Sequence, residues 1–584
     1  MGVERSLTGR RWRESAGDAK LAEEHRRRFG LPEIAARLMA ARGVTSGEAA
    51  DFIEPTLRRL FPDPSTFADM DEAARVIEDA IVNDTPTAVF CDYDVDGGTS
   101  GAQLVRYFRA RGRALKIYVP DRMTEGYGPS AGAFARLKAE GVKLVITVDC
   151  GAAAEEPLNA AHEMGLDVVV LDHHLMHGPP PKARAVVNPN RVDCKSGMGD
   201  LTAAGVVLVA LAAINREARR RGSIGSNNLP NPMDNLDLSA LGTVCDVAPL
   251  KGFNRAIVAQ GLKILRDTKN VGLAALAKSA GRDTCGTVYD LGFVLGPRIN
   301  AGGRVGDASI ATRLLSTDDP EEAAGLALQL ETMNTERRQR EAEMLAEAET
   351  AAFAEAERHA VVVVGAPHWH PGVIGIAAGR LKDRIHKPTI VLGAAAPDEP
   401  AKGSGRSTPG VNLGAAIAAA KGAGILIAGG GHAMAAGLTM EWNRIDDLRA
   451  FLSNALSPQM AASEAEARSL SIDATAGVGA LDLDLLGALD KIGPYGPGHP
   501  EPLFALPDVR VSFAKRVKEA HVRFTLEDSR GARIGGIAFG AMQKGYGEAM
   551  MRGQGVFHAA VRLKRNDYGG KSRPEVEIVD LAEA

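Results

Sequence analysis

The strongest constraint on the fold is a set of short, unbroken apolar runs: TAVFC, KLVITVD and DVVVLD. They are separated by helix-patterned stretches such as SGAQLVRYFRARG, SAGAFARLKAEG and PLNAAHEMG. A strand that is apolar at every position must be covered on both faces, and a parallel sheet between helix layers meets that condition. Strand, helix, strand at this spacing predicts a doubly wound α/β domain. With ALKIYV as a further strand, the pattern runs from about residue 66 to about 315.

A chain of 584 residues is too long for a single core. Residues 1–65 read as an N-terminal helical region, with LPEIAARLMAARG followed by the Pro-rich connector FPDPSTFADMD. Residues 316–358 are rich in Ala, Glu, Leu, Arg and Met. They open on capping residues Thr317, Asp318 and Asp319, with Pro320 placed as a first-turn proline. This predicts a connector helix of roughly 50 Å between domains. Residues 359–455 form a second, smaller α/β unit, with strands AVVVVGA and KPTIVLGA followed by Gly-rich loops, and 456–469 read as a polar linker. Residues 470–584 alternate as short strands (RVSFAKRV, HVRFTLED, RIGGIAFG, GVFHAAVRLKRN, EVEIVD), the pattern of a small OB-like β-barrel.

Composition narrows the class. The chain is 45% apolar and 24% charged, as in globular proteins. No run of eighteen apolar residues occurs, so no membrane span is expected. The N-terminus has no apolar segment of the secretory kind. Five cysteines without CxxC pairs argue against a disulfide framework and point to a reducing cytoplasm. The formal charge is only −4, so any polyanion must be held by local basic patches.

Chemistry gathers where apolar runs end. VFCDYDVDGG carries Asp92, Asp94 and Asp96, LVITVDCG carries Asp149, and VVVLDHH carries Asp172, His173 and His174. LGTVCDVAPL, read as a fourth strand, carries Asp246. Ligands of open parallel sheets sit outside the carboxyl ends of the strands. In an extended segment Asp92, Asp94 and Asp96 share one face, with Tyr93 and Val95 turned toward packing. Carboxylates gathered in one crevice repel one another unless cations neutralise them. Oxygen ligands with an imidazole suit Mg²⁺ or Mn²⁺, and this many ligands suit two ions about 3.5–4 Å apart. Asp172 is read as a backbone acceptor instead of a ligand, and His162 and His177 as surface residues. Cys91, Cys150 and Cys245 are read as core fillers pointing away from the metals.

In this order, DYDVDG, VDCG, DHH and GTVCDVAPL resemble the four motifs of the DHH phosphoesterase superfamily. LGFVLGPRINAGGRVGDAS, HWHPGVIGIAAGRL, KGSGRS and GGGHAMAAG resemble the RecJ family of single-strand-specific DNA exonucleases. The resemblance makes the second α/β unit a DHHA1 domain. It makes the tail, with IGPYGPGHPEPLF and RLKRNDYGG, an OB domain. Departures are small: Val95 where Ala is commoner, Cys150 where Asn is usual, and His499 where Asn is common.

The resemblance implies 5′→3′ degradation of single-stranded DNA to mononucleotides with two divalent cations, Mn²⁺ or Mg²⁺. It implies that Asp94 and Asp149, helped by Asp92, hold one ion. Asp96, Asp149, His173 and Asp246 hold the other, and His174 touches the scissile phosphate. It implies collaborators in recombination and repair, a single-strand-binding protein and a RecQ-type helicase, and a monomer is the default state.

A 5′-end pocket needs arginine forks and Gly-flanked backbone. Ser404 and Arg406 in the KGSGRS loop supply them, with Arg122 and Arg304 as basic partners; Arg298 competes with Arg304 for that role. In DHHA1-type domains the GGGH loop faces the crevice, which assigns His432 to substrate. Basic strands AKRVKEAHVRF and RLKRNDYGGKSR, with Phe524 and Tyr568 as stacking rings, complete a single-strand track. Two other readings stay open: a DHH enzyme of short oligonucleotides or cyclic dinucleotides, and an inactive replication scaffold.

Overall fold

The computed structural model describes every residue except 1, 16, 123, 177, 226, 227, 397, 554, 568 and 569, and the side chains of 464–467. It divides into two units, residues 60–463 and residues 1–59 together with 464–584.

In the larger unit, the Thr87–Cys91 and Leu144–Val148 strands are buried at every residue, as their unbroken apolar composition requires. They form the middle of a five-stranded sheet. Its spatial order is Lys116–Tyr118, Thr87–Cys91, Leu144–Val148, Asp167–Leu171, Ala185–Val187, and every pairing is parallel. In chain order this is 2-1-3-4-5. The direction of winding reverses between the first and third strands, so a ligand crevice opens there. Asp92 and Asp149 directly follow those two strands.

From Ala203 to Ser316 the described residues add helices and no strand. LGTVCDVAPL is therefore not a strand: it ends the Leu236–Cys245 helix, with Asp246 as its C-cap. A short apolar run has the same pattern in a buried helix as in a buried strand, and Leu236–Val244 is buried on all sides. The connector is a helix of 39 residues, Pro320–Arg358, capped by Asp319, whose carboxylate accepts from the Glu321 amide at 2.9 Å. Its far half (Met344, Leu345, Ala348, Ala352) packs with Val362, Val364, Trp369 and Val391 of the second sheet region.

That second sheet has the order Ala428–His432, Ala435–Met440, Ala401–Arg406, Thr389–Gly393, Val362–Gly365; only the last pair is parallel. KGSGRS is thus its central strand and not a loop. Glycine misleads here because it is a weak strand former. A Cβ on Gly403 would lie 2.7 Å from Leu438, and one on Gly405 2.7 Å from Leu413, so only glycine fits under the neighbouring leucines. The segment read as a linker continues the Ile445–Ala467 helix, which buries Leu448, Leu452 and Leu456 at a four-residue spacing.

In the smaller unit, the strands Phe504–Val517, His521–Glu527, Arg533–Ala538, Arg573–Glu583 and Phe557–Asn566 pair in that order. The last returns to the first, closing a barrel. The N-terminal segment joins it: Arg11–Glu14 pairs in parallel with Ser469–Ile472, and Trp12 Nε1 donates to the buried Asp580 at 2.9 Å. Ala35, Leu38 and Met39 share a core with Leu485, Phe504 and Val561. Phe524 lies in that core at 1% exposure and is not a stacking surface. Alternation turns it inward with Val522 and Leu526. Tyr568 lies outside the described residues. Phe513 and Phe539 are exposed aromatics of the barrel, and Lys515 pairs across strands with Arg523.

Candidate active site

The chain leaves the Thr87–Cys91 strand through Asp92 and Tyr93, and Asp94 then caps the Val95–Ala110 helix. The Asp94 carboxylate accepts from the amides of Asp96 at 2.9 Å and Gly97 at 3.2 Å. Asp96 is consequently a first-turn helical residue and not the third member of an extended row. The glycine that follows is obligatory, since a Cβ on Gly97 would sit 2.4 Å from the Asp92 carbonyl oxygen. Buried Asp96 accepts from Ala203 N at 2.6 Å and Ala204 N at 3.0 Å, at the start of the Ala203–Arg221 helix. Asp149 occupies a left-handed backbone conformation, φ 61°. Asp is among the few residues that tolerate that conformation.

His173 Nε2 lies 3.1 Å from Asp149, and 3.8 Å from both Asp96 and Asp246. Asp246 reaches this point from a helix C-terminus, Asp96 from a helix N-terminus, and Asp149 and His173 from the ends of strands, so the crevice has a sheet wall and a helical wall. Three groups have ligand atoms within 4.8 Å of one another. They are Asp92, Asp94 and Asp149; Asp96, His173 and Asp246; and Asp149, Asp172, His173 and His174.

The electrostatics are those of a cation site. Burial first, and then repulsion from Asp94, pushes the Asp92 carboxyl well above the ordinary carboxylate range. Burial does the same for Asp96, with Asp246 and Asp94 adding, and for Asp149, with Asp94, Asp96 and Asp92 adding. Asp246 rises to about 7 by burial and then Asp94. Burial and the neighbouring His174 lower His173 to about 4, leaving its ring neutral and able to ligate. Asp92 Oδ1 is buried without a hydrogen-bond partner among the described residues. An orphaned carboxylate oxygen and mutually raised acids are what a divalent cation would relieve.

Asp172 is fully engaged. It accepts from Ala152 N at 2.9 Å, His173 N at 2.7 Å, His174 N at 3.2 Å and His174 Nδ1 at 2.8 Å. Burial opposes charge on His174 more than any single partner favours it, but the Asp172 hydrogen bond and the charges of Asp172, Asp246 and Asp92 together raise the imidazole to about 9. His162 is exposed, and His177 lies outside the described residues. Cys245 is helical and not strand-borne; its Sγ donates to Leu291 O at 3.5 Å.

A basic wall adjoins the acids. Arg304 drops to about 10, first by burial and then by repulsion from Arg122, Arg337 and Arg406. Arg406 is lowered by burial and by Arg122. Among the described residues, no carboxylate comes within ion-pair distance of Arg122, Arg304 or Arg406. Arg298, by contrast, is tied to the Glu331 carboxylate and to Val294 O. Arg406 donates to Ser404 Oγ at 3.1 Å, and Arg304 to the Gly372 carbonyl at 3.0 Å. His432 is exposed and shares a cross-strand row with Ala435 and Arg406, about 10 Å from the latter.

Sequence reasoning missed Tyr93, His370 and Tyr127. Tyr93 is half-buried and carries the Arg122 guanidinium 5.1 Å from its ring centre. His370 caps the Pro371–Ile385 helix by accepting from Gly372 N at 3.0 Å. Tyr127 donates to the Asp149 carbonyl at 3.2 Å and sits 3.3 Å from His174 Nε2. Position beside a ligand was the available signal for Tyr93, and HPG before an apolar run was the cap signal for His370.

Family models match in the order of the fold: the DHH family N-terminal domain over residues 86–243, the DHHA1 domain over 358–457 and the RecJ OB domain over 472–580. The single-stranded-DNA-specific exonuclease RecJ of Dickeya dadantii is 35% identical over 565 residues, covering 94% of this chain and 96% of that protein. The Escherichia coli protein of the same name is 34% identical, covering 87% and 89%. The crystal structure of Thermus thermophilus RecJ in complex with Mn²⁺ superposes with a TM-score of 0.79 at 30% identity, covering 98% of this chain and 79% of that one. The corresponding Mg²⁺ complex gives 0.74 at 29%, covering 98% and 78%. Three domain matches in sequence order, full-length relatives and a shared architecture carry one conclusion: the chain belongs to the RecJ family of single-stranded-DNA-specific exonucleases.

Proposed function

We propose that this chain removes mononucleotides from the 5′ end of single-stranded DNA by metal-dependent hydrolysis. The observation that carries the reading is the meeting of two unlike walls within one unit, a buried acidic cluster and a cluster of arginines that have no carboxylate partners among the described residues. Asp92, Asp94 and Asp149 would hold one divalent cation, and Asp96, Asp149, His173 and Asp246 the other; Mn²⁺ or Mg²⁺ suits both sets. When bound, the pair supplies the positive charge that activates water and stabilises the attacking and leaving oxygens.

The protein's own groups do the rest. Arg122, Arg304, Arg406 and Ser404 bind the terminal 5′-phosphate, with His432 on the flank, so the chain end is fixed and the first phosphodiester falls at the acids. This sets the direction of digestion. His174, kept charged by Asp172, hydrogen-bonds the scissile phosphate. Asp172 itself orients both histidines and does not ligate. Within the barrel, Lys515, Arg523 and exposed Phe513 offer single-stranded DNA positive charge and a stacking face. In the cytoplasm such an enzyme would take strands opened by a RecQ-type helicase and coated by single-strand-binding protein, in recombination and repair.

Counting bound Mn²⁺ by electron paramagnetic resonance tests the ligand sets. Two ions per chain are expected, with one lost in Asp94→Ala and the other weakened in His173→Ala. Full occupancy in both variants would refute the assignment.

A further inference from the structure

Apart from the two walls just described, the larger unit exposes an aromatic pair that the assigned roles leave unused. Tyr289 is 60% exposed and Phe293 69% exposed. Their rings stack on each other, with centroids 5.1 Å apart and planes 22° from parallel. Both rings lie on one outward stripe, while Leu291, Val294 and Leu295 turn inward.

The backbone beneath them is unusual. Asp290–Leu295 is a π-helical run, a rare conformation concentrated at functional sites. Asp290 fixes its start by accepting from Gly286 N at 3.0 Å, Thr287 N at 3.1 Å and Thr287 Oγ1 at 2.8 Å.

The pair's location links it to the chemistry. The π-helical run packs on the Leu236–Cys245 helix, which ends at Asp246. Cys245 Sγ donates to Leu291 O at 3.5 Å, and a Cβ on Gly292 would touch Val244 at 3.5 Å. Directly after Asp246, Val247 is 65% exposed and takes φ 62°. That is a strained conformation for a β-branched residue. Downstream, the same chain segment continues into the Gly296–Val305 helix that carries Arg304. The aromatic pair therefore sits on the element that joins the helical wall of the acid cluster to the arginine wall.

We propose that Tyr289 and Phe293 form a base-stacking platform that grips the single strand beside the cleavage site. The occupant is a nucleobase and not a protein, because a strand whose first phosphodiester lies at the acids must continue past their rim. Every base offers a π-face to an aromatic ring, so the grip is independent of sequence. A paired and internally stacked base offers no free face, so the platform also favours single strands. The inference rests on the exonuclease reading above.

The test uses 5′-phosphorylated oligonucleotides with one abasic residue stepped through the first ten positions, under steady-state conditions with Mn²⁺. With the intact protein, one register should raise KM by about tenfold with kcat retained, the scale of one lost stacking contact. Phe293→Leu should raise KM similarly on intact DNA and remove the sensitivity to that register, while Phe293→Trp should retain wild-type behaviour. Phe293→Leu matching wild type on both substrates would overturn the platform, as would abasic sensitivity persisting unchanged in Tyr289→Ala/Phe293→Leu. Failure of the wild-type protein to cleave any single strand would instead overturn the exonuclease reading itself.

Discussion

Replacing Gly242 by alanine should separate placement of the site from stability of the fold. Gly242 lies in the buried Leu236–Cys245 helix, and a Cβ there would come 2.6 Å from Asp96 Oδ1, 2.6 Å from Thr99 Oγ1 and 2.7 Å from the Ala204 Cβ. Relief to an ordinary 3.4 Å contact needs a movement of about 0.8 Å. Asp96 cannot yield without loosening its bonds to Ala203 N and Ala204 N. Overpacking costs about 1–3 kcal/mol, and the gain in helix propensity from Gly to Ala returns about 1 kcal/mol. Net destabilisation should be about 0–2 kcal/mol by urea denaturation. Displacing a reacting group by about 1 Å can cost on the order of 100-fold in rate, so kcat on a 5′-phosphorylated single strand should fall by about that factor. Gly325→Ala is the control: nothing lies within 4 Å of its Cβ, so it should be neutral to slightly stabilising and fully active. Gly242→Ala retaining activity within twofold of wild type would refute the argument that Asp96 must stay where its backbone donors hold it.

Asp172→Asn turns an amide toward the Ala152 N–H, which should cost about 1–3 kcal/mol in stability. It should also lower kcat roughly 10- to 100-fold, with His174 titrating below about 9 when followed by NMR. Arg304→Ala should raise KM for 5′-phosphorylated DNA far more than for 5′-hydroxyl DNA. Arg298→Ala should leave that discrimination intact and destabilise the fold by about 1–3 kcal/mol, because Glu331 loses its partner. Glu217 is held at about 2 by hydrogen bonds from Arg220 and Arg221. Its folded pKa lies below its unfolded value, so its contribution is present above about pH 4.5 and is lost as pH falls toward 2. Screening around Arg220 limits it to about 1 kcal/mol. Glu217→Gln should flatten the stability–pH curve in that window by that amount, measured by denaturant midpoints.

The sheet and most of its acids were legible in the sequence because burial on both faces leaves an unmistakable apolar run, and a polar residue ending such a run must lie at the strand's carboxyl end. Asp246 was legible as a member of the acidic cluster but not as a helical residue, since a wholly buried helix and a buried strand share the same composition. Asp96 was placed on the wrong element because DYDVDGG alternates like a strand while Asp94 already caps a helix. Ser404 and Arg406 were singled out by residue type, but their strand was hidden by glycines whose reason is the leucines above them. The choice between Arg298 and Arg304 depends on Glu331, a partner 33 residues from Arg298, and no local pattern announces that contact. Likewise, the joining of residues 1–59 to the barrel rests on long-range contacts such as Trp12 with Asp580.

The central claim is tested most directly by digesting one oligonucleotide labelled at its 5′ end in one sample and at its 3′ end in another, with Mn²⁺, as a single strand and as a blunt duplex. The 5′ label should appear as a mononucleotide from the first turnover, while the 3′-labelled strand shortens one nucleotide at a time. The duplex should persist, and a chelator or Asp149→Asn should stop the reaction. Internal cleavage, release of labelled oligonucleotides, equal rates on the duplex, or activity surviving the chelator would contradict the account.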